Sequence, residues 1–112
     1  MTSIIIIGAT HSLSDATILC EYFLQQSVDT KVITVPSTID GNIHHKYISS
    51  AIGFDTASRV YSQFIGNMLT DSASAVKYWY FMRVMGKDPS HLVLEASLQT
   101  HPNVVIISEE SS

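Results

Sequence analysis

Charge is scarce in this 112-residue chain: Lys, Arg, Asp and Glu make up only 14% of it, six basic against ten acidic residues, for a formal net charge of −4. No cluster of Lys or Arg occurs anywhere, so the electrostatic footprint of a nucleic-acid-binding surface is missing and that class of partner is excluded. The longest aliphatic run, Ile4 to Ile7, falls far short of the roughly 20 apolar residues that cross a membrane as a helix. No leader with a basic start is evident, and the expectation is a soluble, cytoplasmic protein without membrane partners. Cysteine is limited to Cys20, which rules out an internal disulfide and is compatible with a reducing compartment. The expected role of Cys20 is a small buried apolar residue on a helix rather than a reactive thiol. Repeats, low-complexity stretches and linkers are also missing, so nothing marks a second domain.

What is present is a hydrophobic content of 46%, enough to argue for a folded chain and against disorder. A chain of this length makes one domain with a modest core. So lean a charge complement suggests that part of its surface is covered by further chain or another subunit. Ile4-Ile5-Ile6-Ile7 ahead of Gly8 reads as a strand buried on both faces, and therefore as part of a parallel sheet. Leu13, Ala16, Leu19, Cys20 and Phe23 share one helical face, with Ser12 or Ser14 as N-cap and an end near Gln26. Lys31 to Val35 reads as a second strand ended by Pro36. Together these form a right-handed βαβ unit.

Pro36 to Tyr47 is too rich in turn formers for regular structure and reads as a loop at the carboxyl end of the second strand, the edge where open α/β sheets bind ligands. Phe54, Ala57, Val60, Tyr61, Phe64, Ile65, Met68 and Leu69 recur at helical spacing, with Asp55 favourably placed in the first turn. Lys77 to Met85 reads as a third strand, although Tyr78-Trp79-Tyr80 could equally extend the helix. Ser90 is a candidate N-cap for a helix from His91 to Leu98 closed by Pro102, and Val104 to Ile107 reads as the last strand. The expected fold is α/β: an open, mostly parallel twisted sheet with flanking helices in a Rossmann-like three-layer arrangement, in the order β-α-β-loop-α-β-α-β.

Thr38-Ile39-Asp40-Gly41-Asn42 is the most informative segment, because it sets a carboxylate between Thr and Gly on a loop that ends a strand. An Asx-type turn would explain it in isolation. Two further elements, Gly8 to Ser12 after the first strand and Met85-Gly86-Lys87 after the third, fall at what should be the same edge of the sheet. In this order and spacing the sequence resembles the phosphofructokinase family, whose pattern runs Gly-Gly-Asp-Asp/Gly-Ser, Thr-Ile-Asp-Gly/Asn-Asp and Met-Gly-Arg, with Gly53-Phe54-Asp55-Thr56-Ala57 also recurring. The likeness spans essentially the whole chain, which would make residues 1–112 a single partial phosphofructokinase domain of a larger protein. Thr70-Asp71, Ser74-Ala75, Lys77-Tyr78, Phe81, Ser90-His91, Leu94-Glu95, Leu98-Gln99 and His101-Pro102-Asn103 look like the long pyrophosphate-dependent enzymes, in particular their alpha subunits.

The resemblance implies a glycolytic phosphoryl transfer to fructose 6-phosphate from pyrophosphate or ATP, in an oligomer that includes a beta-like catalytic domain or subunit. It assigns Asp40 as the general base toward the sugar 1-hydroxyl, Thr38 and Ile39 as its neighbours in the sugar site, Met85, Gly86 and Lys87 as the sugar-phosphate turn, and Lys77 and Tyr78 as residues that reach a neighbouring site. Gly8, Ala9, Thr10, His11 and Ser12 stand where the family has its phosphate-donor loop, and departures from the family pattern fall there and in the other two motifs. Thr10 replaces the magnesium-binding Asp, Ala9 replaces a Gly, Asn42 replaces a second carboxylate, and Lys87 replaces an Arg whose planar fork grips phosphate bidentately. Ser37, where the pyrophosphate-dependent branch has Lys and the ATP-dependent branch Gly, does not reveal the donor. A degenerate donor site in an alpha-like regulatory or structural segment follows, with Mg²⁺ used by the parent family but not bound by this segment, which alone would be inactive. An active domain using Asp40, or a generic doubly wound binding module, are the competing readings.

No metal site is expected from the five histidines, His11, His44, His45, His91 and His101, since only His44 and His45 are close and neighbours on extended chain point opposite ways. Tyr78-Trp79-Tyr80-Phe81 lacks the basic partners of a base-stacking platform and reads as core and subunit contact. Glu109 and Glu110 read as solvated.

Overall fold

The computed structural model describes residues 2–87 and 89–110. It is α/β with an open parallel sheet and flanking helices, as the periodicities imply. The chain gathers into two compact units, one made of the chain up to Thr38 plus Ile43–Ile52, the other of Ile39–Asn42 plus the chain from Gly53 onward.

The first unit is the βαβ motif. Strand β1 (Thr2–Gly8), helix α1 (Thr10–Gln25) and strand β2 (Thr30–Thr38) follow one another, and β1 pairs with β2 in parallel from Thr2↔Thr30 to Gly8↔Pro36. A two-residue strand β3 (Ile52–Gly53) completes a three-stranded sheet in the order β1-β2-β3. Helix α1 packs on β1 and β2 through Leu13, Ala16, Leu19 and Phe23, of which Ala16 is buried and the others half-buried.

Several expectations are corrected here. Only one face of β1 is covered: Ile4 and Ile6 are half-buried, whereas Ile5 and Ile7 are 63% and 66% exposed. Successive side chains of a strand point to opposite faces, and within this unit a single helix packs against the pair. Strand β2 continues through Pro36 to Thr38; Gly8↔Pro36 is the last rung of the β1–β2 ladder, where a missing N–H interrupts nothing further along. Neither Ser12 nor Ser14 caps α1. The helix starts earlier, with Ala9 in the N-cap position, and no side chain bonds its free N–H groups; the Ser14 hydroxyl donates back to the Thr10 carbonyl at 3.3 Å. Cys20 is exposed rather than buried, since it lies one position beyond Leu19 on the rim of the apolar face.

The second unit is built on helix α2 (Phe54–Ala75) and helix α3 (His91–Thr100), which pack together. Ile65, Leu92 and Ala96 are buried there, and Ala96 lets the two backbones approach closely. Asp55 occupies the first turn of α2 as expected and pairs with Arg59 at 3.1 Å on the exposed surface. Val60 and Phe64 fall outside the covered stripe and are exposed. The helix ends at Val76, left-handed at φ 50°, whose N–H closes on the Ser72 carbonyl. Helix α3 likewise stops at His101 with φ 52°, one residue before Pro102, as a proline after the C-cap leads one to expect.

Two expected strands do not form. Residues 77–85 and 104–107 are irregular, and Tyr78-Trp79-Tyr80 does not prolong α2 either. Trp79 and Phe81 are 90% and 93% exposed, so this segment is not core. A strand is completed only by a neighbour that takes up its N–H and C=O groups. Among the described residues, no strand pairs with either segment, and a high strand propensity by itself does not supply one. The Ser108–Glu110 segment forms a single 3-10 turn.

Candidate functional site

The loop after β1 is as short as a strand-to-helix connection can be, with Ala9 alone between Gly8 and Thr10. Gly8 is required by packing: a Cβ there would run into the Ser12 side chain, 2.6 Å from its Cβ and closer still to its hydroxyl. The N-terminus of α1 therefore presents backbone N–H groups that are free of side-chain caps, an arrangement suited to anions. Its first turn holds no acidic residue, so the loop can offer a phosphate backbone N–H groups but offers a hard dication only hydroxyls. Gly8 stands beside Pro36 across the ladder, which sets this loop next to the carboxyl end of β2. Gly8 and Thr38, the residues at which two of the sequence motifs begin, thus end paired parallel strands.

Thr38 ends β2 and is buried. Beyond it Ile39, Asp40 and Gly41 are half-buried, while Asn42 is exposed. Gly41 has φ 66°, a left-handed conformation that glycine adopts without penalty. The side on which it would carry a side chain is filled by the ring of Phe54: a Cβ at Gly41 would lie 2.8 Å from both Cδ2 and Cε2. Phe54 is the first residue of α2, so the turn that carries Asp40 rests on the start of that helix.

Met85, Gly86 and Lys87 are exposed and irregular. Their anchor is also α2, since the Met85 N–H donates to the Tyr61 hydroxyl at 3.4 Å. Phe54 and Tyr61 are seven residues apart, so they share one face of the helix and lie about 10 Å apart along its axis. Both turns that the sequence assigns to the sugar side are therefore held from one stripe of α2. Lys77 and Tyr78 are exposed, with the ammonium 5.5 Å from the ring centroid.

Phe54 and Tyr61 are the residues that sequence reading passed over as ordinary members of an apolar helix face. Their seven-residue spacing was visible, but nothing in it announced that both would support loops. Glu109 is exposed, as expected, but it also accepts the Ser90 N–H at 2.9 Å on Oε1 and the Ser90 hydroxyl at 2.5 Å on Oε2, with Ser108 adding a third donor at 3.1 Å. Ser90 stands in the N-cap position expected of it, and the carboxylate satisfies its N–H at the start of α3, where the helix dipole favours a negative charge. The Ser90 hydroxyl bond, followed by backbone N–H bonds, pulls the Glu109 pKa down to about 2.

His44, His45 and His101 lie in loops, whereas His11 and His91 lie in the first turns of α1 and α3. His45 exchanges backbone hydrogen bonds with Ile48, accepts the Tyr47 N–H on Nδ1 at 3.4 Å and lies against the Tyr47 ring. Among the described residues no three His, Cys, Asp or Glu side chains gather into a metal site. Among the described residues no helix is long and apolar enough to cross a membrane.

A family model described as Phosphofructokinase matches residues 1–112. The chain is 48% identical over 108 residues to the pyrophosphate–fructose 6-phosphate 1-phosphotransferase of Porphyromonas gingivalis, an alignment covering 96% of this chain and 20% of that protein. It is 46% identical over 110 residues to subunit alpha 2 of the Arabidopsis thaliana enzyme of that name, covering 98% of this chain and 18% of the subunit. Against subunit beta 1 from the same plant the identity is 44% over 112 residues, covering all of this chain and 20% of the subunit. The chain spans about a fifth of the length of these relatives. Alpha and beta subunits match almost equally, so identity does not separate the two types.

Proposed function

The chain belongs to the phosphofructokinase family, in its pyrophosphate-dependent branch, and from that premise we propose that it is the alpha-like, regulatory or structural part of a phosphofructokinase assembly. It keeps the sugar side of the site, while a beta-like domain or subunit performs the transfer from pyrophosphate to fructose 6-phosphate. Residues 1–112 are, in this reading, part of one phosphofructokinase domain in an oligomeric protein. The observation that carries it is the first turn of α1, which is free of acid where the family holds its magnesium-binding Asp.

Mg²⁺ demands oxygen ligands in near-octahedral geometry and is held beside phosphates mainly by carboxylates. Thr10 supplies a neutral hydroxyl, so the residues present do not fit the ion and no step through it is assigned to this chain. Ala9 adds a methyl where close backbone approach to a phosphate needs glycine, and Lys87 presents a point charge in place of a bidentate fork. On the sugar side Thr38, Ile39 and Asp40 remain, with Met85 and Gly86 held from the same helix. Lys77 and Tyr78, exposed beyond α2, are in this reading the pair that reaches a neighbouring subunit.

The retained, half-buried Asp40 favours a second reading, an active domain whose metal ligands come from elsewhere in the parent protein. Asp40 would then take the proton of the sugar 1-hydroxyl as that oxygen forms its bond to phosphorus and the donor's bridging bond breaks. The two are separated by assaying the full-length parent chain, prepared without a beta-like partner, for magnesium-dependent phosphorylation of fructose 6-phosphate by pyrophosphate. The alpha-like reading expects no turnover until the partner is added; turnover by the parent chain alone overturns it.

A further inference from the structure

We infer that Phe54 is the positioning residue for the Asp40 turn, an inference that rests on reading Thr38 to Asn42 as part of a sugar-phosphate site. Three observations converge on it. Gly41 is held at φ 66°, in the region that glycine can enter but is equally free to leave. The Phe54 ring occupies the volume beside its Cα, within 2.8 Å of where a Cβ would stand. Phe54 itself is fixed as the first residue of a 22-residue helix.

The direction of the Asp40 carboxylate depends on the backbone angles of residues 40 and 41, and Gly41 is the softest link in that turn. Without the ring, Gly41 would lose the apolar contact on that side, and the direction of the carboxylate would be less closely set. With the ring in place, the turn is braced by an apolar contact that no charged ligand competes for. The same face of α2 holds the Met85 N–H through Tyr61 two turns further on, so the helix sets the spacing of both turns. Phe54 touches no reacting atom in this account. Its effect on a ligand passes through Gly41 and Asp40.

The test uses the full-length parent chain and two readouts, the dissociation constant for fructose 6-phosphate and amide hydrogen exchange over residues 40–43. Phe54→Ala is expected to accelerate exchange at 40–43 by about tenfold or more and to weaken sugar-phosphate binding about fivefold or more. Phe54→Leu, which still fills the space, should restore most of both. Gly41→Ala should weaken binding in the wild-type background and do so less in the Phe54→Ala background, because part of its effect is collision with the ring. Unchanged exchange at 40–43 in Phe54→Ala overturns the inference. If exchange there is unchanged while Asp40→Asn still weakens sugar binding, the functional reading stands and the positioning role falls. If exchange accelerates but the wild-type chain does not bind fructose 6-phosphate, the brace is real and the functional reading is what fails. Should Phe54→Ala not fold, Phe54→Val withdraws the ring with less lost volume and is read by the same two measurements.

Discussion

The loop after β1 and the turn after β2 leave neighbouring strands at the same edge of a sheet, yet they have kept different things. In the first, the backbone survives intact: Gly8 fits under Ser12, and α1 opens directly with uncapped N–H groups. Its first turn, however, carries no carboxylate with which to hold a dication. The second carries Asp40, which we propose faces the sugar, and the ring of Phe54 lies against its turn at Gly41. Geometry and chemistry are therefore separable. Packing constrains a loop through its glycines and its helix, while the residue that would do the chemistry is free to change without disturbing either.

Substituting the packing glycine gives the largest expected effect on that contrast. Gly8→Val should destabilise the protein by about 1–3 kcal/mol, because a Cβ must displace the first turn of α1, as read by the shift of a denaturant midpoint. Turnover per folded assembly should stay unchanged, and a specific loss of turnover would show the donor loop to be more than scaffold. A smaller effect is expected at Glu109, whose folded pKa of about 2 lies below its ordinary value of 4.5. A carboxylate depressed on folding contributes stability that is full above about 4.5 and is lost as pH falls through about 2. Because Glu109 is fully exposed, the contribution is local: amide exchange at Ser90 and the start of α3 should quicken across that window, and Glu109→Gln should remove the pH dependence.

Much of the fold was legible because periodicity and burial agree for elements whose partners are close in sequence. β1, α1, β2, α2 and α3 all formed near their expected places. Lys77 to Met85 and Val104 to Ile107 show why others did not: a run of bulky residues states that a segment would suit a sheet, not that a neighbouring strand is there to pair with it. Capping misplaced the start of α1, since Ser12 and Ser14 lie already inside it, whereas Ser90 does stand at the N-cap of α3, its own N–H and hydroxyl bonding Glu109, nineteen residues away. In the candidate site, the turn residues after Thr38 could be picked out because Asp, Gly and Asn are depleted in strands. Phe54 and Tyr61 could not, since an aromatic that braces a loop and one that fills a helix face have the same sequence signature.

The proposed contrast, a donor loop that serves as scaffold and a sugar side whose carboxylate is idle, is tested most directly by Asp40→Ala in the complete assembly. If this segment is alpha-like, turnover from pyrophosphate should stay within about twofold of the wild type, since the proton is taken elsewhere. Removing a working general base lowers turnover about 10²–10⁴-fold, and a loss of that size would contradict the account.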